Sequence, residues 1–197
     1  MWEDNIIPQM ERPVFSRFYL ILPIIVVILA IGRPVASQTV PVSLQAAIFF
    51  KVLSYDGRIS SKSGNQVMIY IVIDKKSSGQ KDDILAGFNN LSGKSLGGKR
   101  VKVLSVDASD ITNIAEHADV IYAASGSDNN TIEKIVTIAS ERKIATLGGD
   151  EAIAEMGFAV GLAVEEGKPK IVVNFAASQE QGMKLSSKLL RLAKIIK

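Results

Sequence analysis

From residue 42 onwards, hydrophobic and polar positions follow two alternating patterns. Short apolar-rich segments typical of strands alternate with segments that carry apolar residues at helical spacing. One of the short segments, 67–73, is a continuous apolar run, as expected of a strand covered on both faces. The predicted strands are 67–73, 100–106, 119–124 and 144–147, and the predicted helices are 42–55, 82–91, 109–117 and 130–142. Strands that alternate with helices predict a parallel sheet with helices on its faces.

The pattern changes towards the C-terminus. A short helix over 150–156 precedes two apolar runs, 158–164 and 171–175, which are joined by a polar segment with one glycine. This arrangement predicts an antiparallel hairpin. A closing amphipathic helix is predicted from about residue 178 or 185 to residue 196. The fold class is therefore α/β, a three-layer sandwich with a mostly parallel central sheet and a C-terminal antiparallel hairpin at one edge.

A different pattern precedes these elements. Residues 18–31 form an uninterrupted apolar run of 14 residues, the length of a signal-peptide core and shorter than the ~20 residues of a spanning helix. The small residues of Val35-Ala36-Ser37 follow and predict cleavage after Ser37. We expect residues 1–37 to be a signal peptide and residues 38–197 to be a single domain. An uncleaved inner-membrane anchor is the alternative, and both place the domain outside the cytoplasm, in the bacterial periplasm.

Composition narrows the classes of function. The 23 basic and 20 acidic residues are interspersed, so the chain lacks the basic stripe that nucleic-acid binding requires. The absence of cysteine excludes disulfides, thiol nucleophiles and Cys-ligated metal sites. The single histidine, His117, has no second histidine with which to complete a metal site. The sequence therefore predicts no catalytic, cofactor-binding or metal-binding residues.

Polar residues follow the predicted strands at their carboxyl ends. Asp74, Asp107, Ser125 and Asp150 occupy these positions, where ligands bind in open parallel sheets. They form a possible ligand crevice. The same residue types are also common helix caps and turn residues, and that role alone explains each of them.

Three groups of residues carry a resemblance to a known family. The C-terminal group is Asn174-Phe175-Ala176-Ala177, Gly182 and the sequence SSKLLRLA over 186–193. The sequences QAAIFFK over 45–51 and TLGGD over 146–150 extend the match over nearly all of residues 38–197. The chain resembles the YfiR family of periplasmic proteins. It departs from the family at 55–58, where YDGR replaces a frequent Trp-Pro, and is identified as a divergent member.

The resemblance implies a regulatory protein without catalytic residues or cofactors. Such a domain docks on a membrane-bound signalling protein, a diguanylate cyclase or a sensor kinase, and links envelope conditions to cyclic-di-GMP and biofilm formation. A homodimer is a further possibility, and no nucleic acid is implied. We expect the interaction surface on the exposed side and edge of the predicted hairpin, because a sheet edge offers unpaired backbone groups. The residues chosen there are Phe158, Val160, Glu165, Lys168 and Lys170.

A second function is compatible with the sequence. Residues 119–150 also resemble part of one lobe of the transporter-associated solute-binding proteins. Such proteins need two lobes, and the roughly 160 residues of the expected mature chain suffice for one. The alternative is therefore a small periplasmic solute-binding module, and an enzyme is the third choice.

Overall fold

The computed structural model describes residues 39–197. The predicted signal peptide and the cleavage site after Ser37 lie outside the described residues. No helix within residues 39–197 is long and apolar enough to cross a membrane.

The strands form one eight-stranded sheet with the order β2-β3-β1-β4-β5-β6-β7-β8. Their bounds are β1 Gln66–Ile73, β2 Ser95–Leu96, β3 Lys99–Asp107, β4 Val120–Ala123, β5 Ala145–Gly148, β6 Val160–Glu165, β7 Lys168–Asn174 and β8 Lys194–Ile196. The central strands β3, β1, β4, β5 and β6 are parallel to one another. Strands β2 and β3 pair antiparallel, as do β6 and β7, whereas β8 runs parallel to β7.

The helices cover both faces of this sheet. Their bounds are α1 Val42–Leu53, α2 Gly57–Ser61, α3 Lys81–Asn89, α4 Ile111–Ile114, α5 Asn129–Arg142, α6 Glu151–Glu155, α7 Phe175–Glu180 and α8 Ser187–Leu190. Alternate residues of β1 enter two separate cores: Ile69 and Ile71 pack with α1 and α3, whereas Tyr70 and Val72 pack with α4 and α5. Because successive side chains of a strand point to opposite faces, the two cores lie on opposite sides of the sheet. The predicted three-layer α/β fold with a mostly parallel sheet is confirmed.

The predicted hairpin is confirmed as the pair β6–β7. Glu165 pairs with Lys168, so the turn contains two residues, Glu166 and Gly167, whose φ values are +51° and +74°. Two-residue hairpin turns with positive φ at both positions match the right-handed twist of the strands. Strand β8 pairs with β7 at residues 172–174. The tip of the hairpin therefore lies at the edge of the sheet, whereas along residues 172–174 of β7 the edge strand is β8.

The predicted closing helix is wrong. Two short helices, α7 and α8, and the strand β8 occupy this segment. Gly182 adopts a φ of +73°, which ends the first helical stretch. The side chain of Ser186 then accepts a hydrogen bond from the N–H of Leu189 and starts a new helix. The spacing of the leucines was helical, but pairing with β7 determines the conformation of residues 194–196.

Two elements lie in segments for which the sequence pattern predicted neither a helix nor a strand. Helix α2 begins after Asp56, whose side chain accepts a hydrogen bond from the N–H of Arg58. Strand β2 is two residues long and pairs only with β3. Both elements are too short for hydrophobic periodicity to show them.

Candidate functional site

A cavity of about 790 Å³ opens at the carboxyl ends of β4 and β5. Tyr122, Ala124 and Ser125 line it from the β4 side, and Asp150 lines it from the β5 side. Residues 39–43 and the exposed side of α3 form its walls. The cavity therefore lies where the topology of an open parallel sheet places ligands.

Only two of the four predicted crevice residues line this cavity. Ser125 and Asp150 belong to it, whereas Asp74 and Asp107 do not. Asp107 is exposed at the end of β3, and its side chain does not cap the short helical turn that follows. The expectation that all four residues converge is therefore wrong, because β1 and β3 end on the far side of the β1–β4 junction from the cavity.

Asp74 has a different role at the end of β1. Its Oδ1 accepts hydrogen bonds from the N–H and the Oγ of Ser77, both at 2.8 Å, and its Oδ2 accepts one from the N–H of Asp128 at 2.6 Å. These bonds join the loop after β1 to the loop after β4. Burial by itself raises the pKa of the Asp74 carboxyl, but the hydrogen bonds from Asp128, Ser77 and Lys76 favour the charged form, and the pKa lies below its usual value of 3.8.

This lowered pKa predicts a loss of stability in acid. The unfolded chain takes up the Asp74 proton at the usual pKa and the folded chain only at a lower pH. The contribution of the Asp74 carboxylate to stability is therefore complete at pH values above its usual pKa, and it is lost as the pH falls through the pKa of the folded state. We expect Asp74→Asn to unfold at a lower temperature at pH 7 and to lose less stability than the wild type between about pH 5 and pH 3. Thermal unfolding across that range measures both effects.

The matched control for this prediction is Asp107→Asn, which removes an exposed carboxylate from the end of the neighbouring strand. Its melting temperature should follow the pH profile of the wild type. A D74N profile parallel to that of the wild type would show that Asp74 has no part in the acid sensitivity. Lys76 adds a further contact between the loops after β1 and β4. Its Nζ lies 3.1 Å from the Asp128 carboxylate and lowers the pKa of that group.

A buried chain of hydrogen bonds forms the floor of the cavity. The hydroxyl of Tyr122 donates to Oε1 of Gln45 at 2.8 Å, and Nε2 of Gln45 donates to the carbonyl of Val40 at 2.6 Å. Burial, together with the nearby Asp150 carboxylate, raises the pKa of Tyr122 well above its usual range, so the phenol remains a neutral donor. These linked hydrogen bonds thus fix the segment before α1 against the central strand β4.

The two loops above this floor approach each other closely. A Cβ at Gly149 would lie 2.5 Å from the backbone nitrogen of Ser125, so no other residue fits there without a backbone shift. The Oδ1 of Asp150 accepts a hydrogen bond from the N–H of Ile153 at 3.0 Å and caps α6. Ser125 Oγ is buried without a hydrogen-bond partner. The helix-cap explanation thus accounts for Asp150 Oδ1, but it does not account for Ser125 Oγ.

The second predicted site, on the hairpin, is only partly at the surface. Phe158 and Val160 are fully buried, in the cores on opposite faces of the sheet. Their assignment to an interaction surface is wrong, because β6 lies inside the sheet with both faces covered. Glu165 and Lys168 are exposed at the hairpin tip, and Lys170 is partly exposed beside them.

The sequence reasoning missed two apolar residues at the surface. Leu192 is 58% exposed and Ile195 is 45% exposed, and Ile195 belongs to the edge strand β8. The closing helix that was predicted here placed Leu192 on a buried side. Nζ of Lys194 lies 2.9 Å from the carboxylate of Glu151. The hydrogen bond that the ammonium donates to this carboxylate raises the pKa of Lys194. We call β8, Leu192 and the hairpin tip 165–170 the C-terminal edge.

Several residues that carried the family resemblance form contacts inside the fold. Asn174 donates to the carbonyl of Ala154 at 3.0 Å and accepts from the N–H of Ala177 at 3.0 Å, so it caps α7 and joins it to α6. Thr146 donates from its N–H and its Oγ1 to Oε1 of the fully buried Gln181, at 3.1 and 2.7 Å. These particular contacts stabilise the structure and do not form a site.

Comparison with known proteins gives a family and a fold. A family model described as YfiR/HmsC-like matches residues 42–194. No curated protein matches the chain.

Several solved structures share the fold at low sequence identity. A conserved domain protein from Vibrio cholerae O1 biovar El Tor superposes with a TM-score of 0.56 and 18% identity, over 82% of this chain and 61% of its own. The ABC domain in complex with L-Trp from Streptococcus pneumonia has a TM-score of 0.55 and 15% identity, over 79% of this chain and 60% of its own. The ligand-free, open structure of CD0873, a substrate binding protein with adhesive properties from Clostridium difficile, has a TM-score of 0.51 and 14% identity, over 66% of this chain and 54% of its own.

The chain thus spans about three fifths of the length of the first two of these structures. At these identities the likeness shows the fold alone.

Proposed function

The chain belongs to the YfiR/HmsC-like family, and from that premise we propose that it docks on an inner-membrane signalling protein, such as a diguanylate cyclase, and regulates it. The family is periplasmic and regulatory, and its members typically interact with a membrane signalling protein. The proposal extends to residues 1–37, which direct the domain to the periplasm as a cleaved signal peptide or hold it at the inner membrane. Their apolar run of 14 residues supports this role.

The observation that carries the docking proposal is the C-terminal edge. Strand β8 is the last strand of the sheet, so its outer side has no strand partner within residues 39–197. An edge of this kind can pair with an extended segment of another protein through backbone hydrogen bonds. Leu192 and Ile195 add apolar surface to the same place.

The composition of the C-terminal edge is that of an interface with an apolar centre and a polar rim. The described residues contain four exposed large hydrophobic side chains, and two of them, Leu192 and Ile195, lie within this short segment. The hairpin tip beside them presents charges of both signs, Glu165, Glu166 and Lys168. Apolar residues at the centre supply most of the binding energy in such interfaces, and the rim contributes specificity.

The test is a double substitution on the C-terminal edge. Leu192→Glu combined with Ile195→Glu places two charges where the docking proposal requires apolar contact. We expect the wild-type domain to recover a membrane-bound cyclase or kinase from solubilised inner membranes, and the double variant to bind the same protein about thirty-fold more weakly, the loss of a typical hot spot. Titration of the recovered partner's periplasmic domain measures the two dissociation constants.

The matched control is Leu44→Glu, a change of the same kind at a side chain that is 42% exposed on α1. It should bind as the wild type does. Equal binding by the double variant, or recovery only of proteins that do not signal, would contradict the docking proposal.

A second candidate function, solute binding, is favoured by the cavity at the ends of β4 and β5. Its volume of about 790 Å³ lies in the range of small-molecule pockets. Two of the solved structures with this fold are described by their ligands, one in complex with L-Trp and one as a substrate binding protein. We propose that this domain retains a solute site at the same end of the sheet.

A further inference from the structure

The charge of the cavity wall differs from that of the whole chain. Among residues 39–197, the lining includes two carboxylates, Asp83 on α3 and Asp150 before α6, and contains no lysine, arginine or histidine. The chain as a whole carries a formal charge of +3. The cavity is therefore a local negative region in a basic protein, and such a region attracts cations and disfavours anions.

Acceptor atoms of this lining are available to a ligand. Asp83 forms no ion pair with another described residue. Asp150 uses Oδ1 to cap α6, and no hydrogen bond to its Oδ2 is found in residues 39–197. Ser125 also lines the cavity, but its Oγ is buried against Gly149, so the carboxylates and not this hydroxyl are the acceptors offered to a ligand.

The opposite wall provides donors. The amino end of α1 lines the cavity at residues 41–43, and no side chain caps this helix. Pro41 has no N–H, and the first intrahelical bonds are donated by Leu44 and Gln45. The N–H groups of Val42 and Ser43 therefore remain for another acceptor, at the positive end of a 12-residue helix.

We propose that the cavity binds a small solute that carries both a protonated amine and an oxygen acceptor. The amine is held by the carboxylates of Asp83 and Asp150, and the oxygen faces the amino end of α1. This inference rests on solute binding, the second candidate function, and names the class of solute. It is independent of partner docking, because the cavity and the C-terminal edge have no residue in common.

The test uses pairs of probes that differ in whether they carry a free amine. Glucosamine and N-acetylglucosamine share a ring, and L-lysine and its diacetylated form share a chain, but only the first of each pair carries a free amine. Thermal unfolding of the exported domain is measured with each probe up to 10 mM. At ten times its dissociation constant, a bound amine raises the melting temperature by about 3–6 °C. The acetylated probes should produce a smaller shift.

Variants of the lining locate the effect. Asp83→Asn removes a carboxylate of the cavity, and Asp150→Asn removes the other while its Oδ1 continues to cap α6. Each should raise the dissociation constant of the amines at least tenfold. Asp82→Asn is the matched control, because it removes the adjacent carboxylate of α3, which does not line the cavity. It should bind within twofold of the wild type.

Ala86→Arg serves as an additional variant in case Asp150→Asn does not fold. Ala86 lies on an exposed position of α3 at the cavity wall, so the substitution brings a positive charge to the cavity without disturbing the core. It should abolish amine binding.

The outcomes distinguish the proposed class of solute, amines, from solute binding at the cavity as such. Amine binding that is lost in D83N and kept in D82N supports it. Binding of the acetylated probes with equal strength, blocked by A86R, overturns the amine class and leaves solute binding at the cavity in place. No shift with any of the four probes overturns the amine class, and solute binding fails with it if succinate and glucose, which carry no amine, also produce none at 10 mM.

Discussion

Replacing Asp56 by alanine is expected to lower the free energy of unfolding by about 3 kcal/mol, because it removes a buried carboxylate that accepts hydrogen bonds from two partly buried backbone donors. Asp56 is 1% exposed. Its Oδ1 accepts from the N–H of Arg58 at 3.0 Å and from the N–H of Lys184 at 2.8 Å, and its Oδ2 lies 3.6 Å from Nε of Arg58.

The effect should be large because this carboxylate joins two distant parts of the chain. The N–H of Gly57 donates to the carbonyl of Lys184 at 2.9 Å, and the N–H of Ser186 donates to the carbonyl of Tyr55 at 3.0 Å. The guanidinium of Arg58 extends the junction to the carbonyls of Asp119 and Lys143. Loss of Asp56 would therefore loosen the C-terminal segment together with the corner between α1 and α2.

Urea unfolding followed by circular dichroism measures this loss. Asp56→Asn is the matched control, because its amide oxygen can still accept from both N–H groups, and it should lose about 1 kcal/mol. If D56A and D56N unfold at the same urea concentration as the wild type, the buried carboxylate contributes no net stability.

Replacing Gln181 by leucine is expected to have an effect of similar size, about 3 kcal/mol. The side chain is fully buried and makes three hydrogen bonds: Oε1 accepts from the N–H and the Oγ1 of Thr146, and Nε2 donates to the carbonyl of Gly157 at 3.0 Å. The Thr146 hydroxyl in turn accepts from the N–H of Ala159 at 2.8 Å. Leucine fills a similar volume but supplies neither the acceptor nor the donor, so the remaining polar groups stay buried without partners.

Gln179→Leu provides the control, because the same substitution is made at an exposed position two residues earlier, in the last turn of α7. Its stability should stay within about 0.5 kcal/mol of the wild type. Urea midpoints of the two variants compare them directly. A Q181L protein as stable as Q179L would mean that the hydrogen bonds of Gln181 are offset by the cost of burying its amide.

Part of the family motif attaches the C-terminal segment to the sheet. Asn174 caps α7, Gly182 ends the helical stretch, and Ser186 begins α8. The motif also reaches both proposed functional surfaces, because Leu192 lies at the C-terminal edge and Asp150 lines the cavity. Ile195 and Asp83 belong to these surfaces but lie outside the motif.

The elements around the cavity could be predicted from the sequence, but the cavity itself could not. The strand before Ser125 and the strand before Asp150 are continuous apolar runs, so both residues were correctly placed at carboxyl ends of strands. Asp83 and the segment 39–43 enter the cavity through the packing of α1 and α3 over the sheet. No local pattern reports that packing, because it joins residues that are far apart in the chain.

By itself, the sequence determined the order of the longer strands and helices from residue 42 to residue 156, without α2 and β2, and it also determined the β6–β7 hairpin and the family. Hydrophobic periodicity and turn chemistry are local properties, and these elements are long enough to show them. Only the tertiary structure decided that residues 194–196 form a strand, that Phe158 and Val160 are buried, and that Asp74 joins two loops outside the cavity. Each of these outcomes depends on a partner that is distant in sequence, and the free energy of that contact outweighs the local preference.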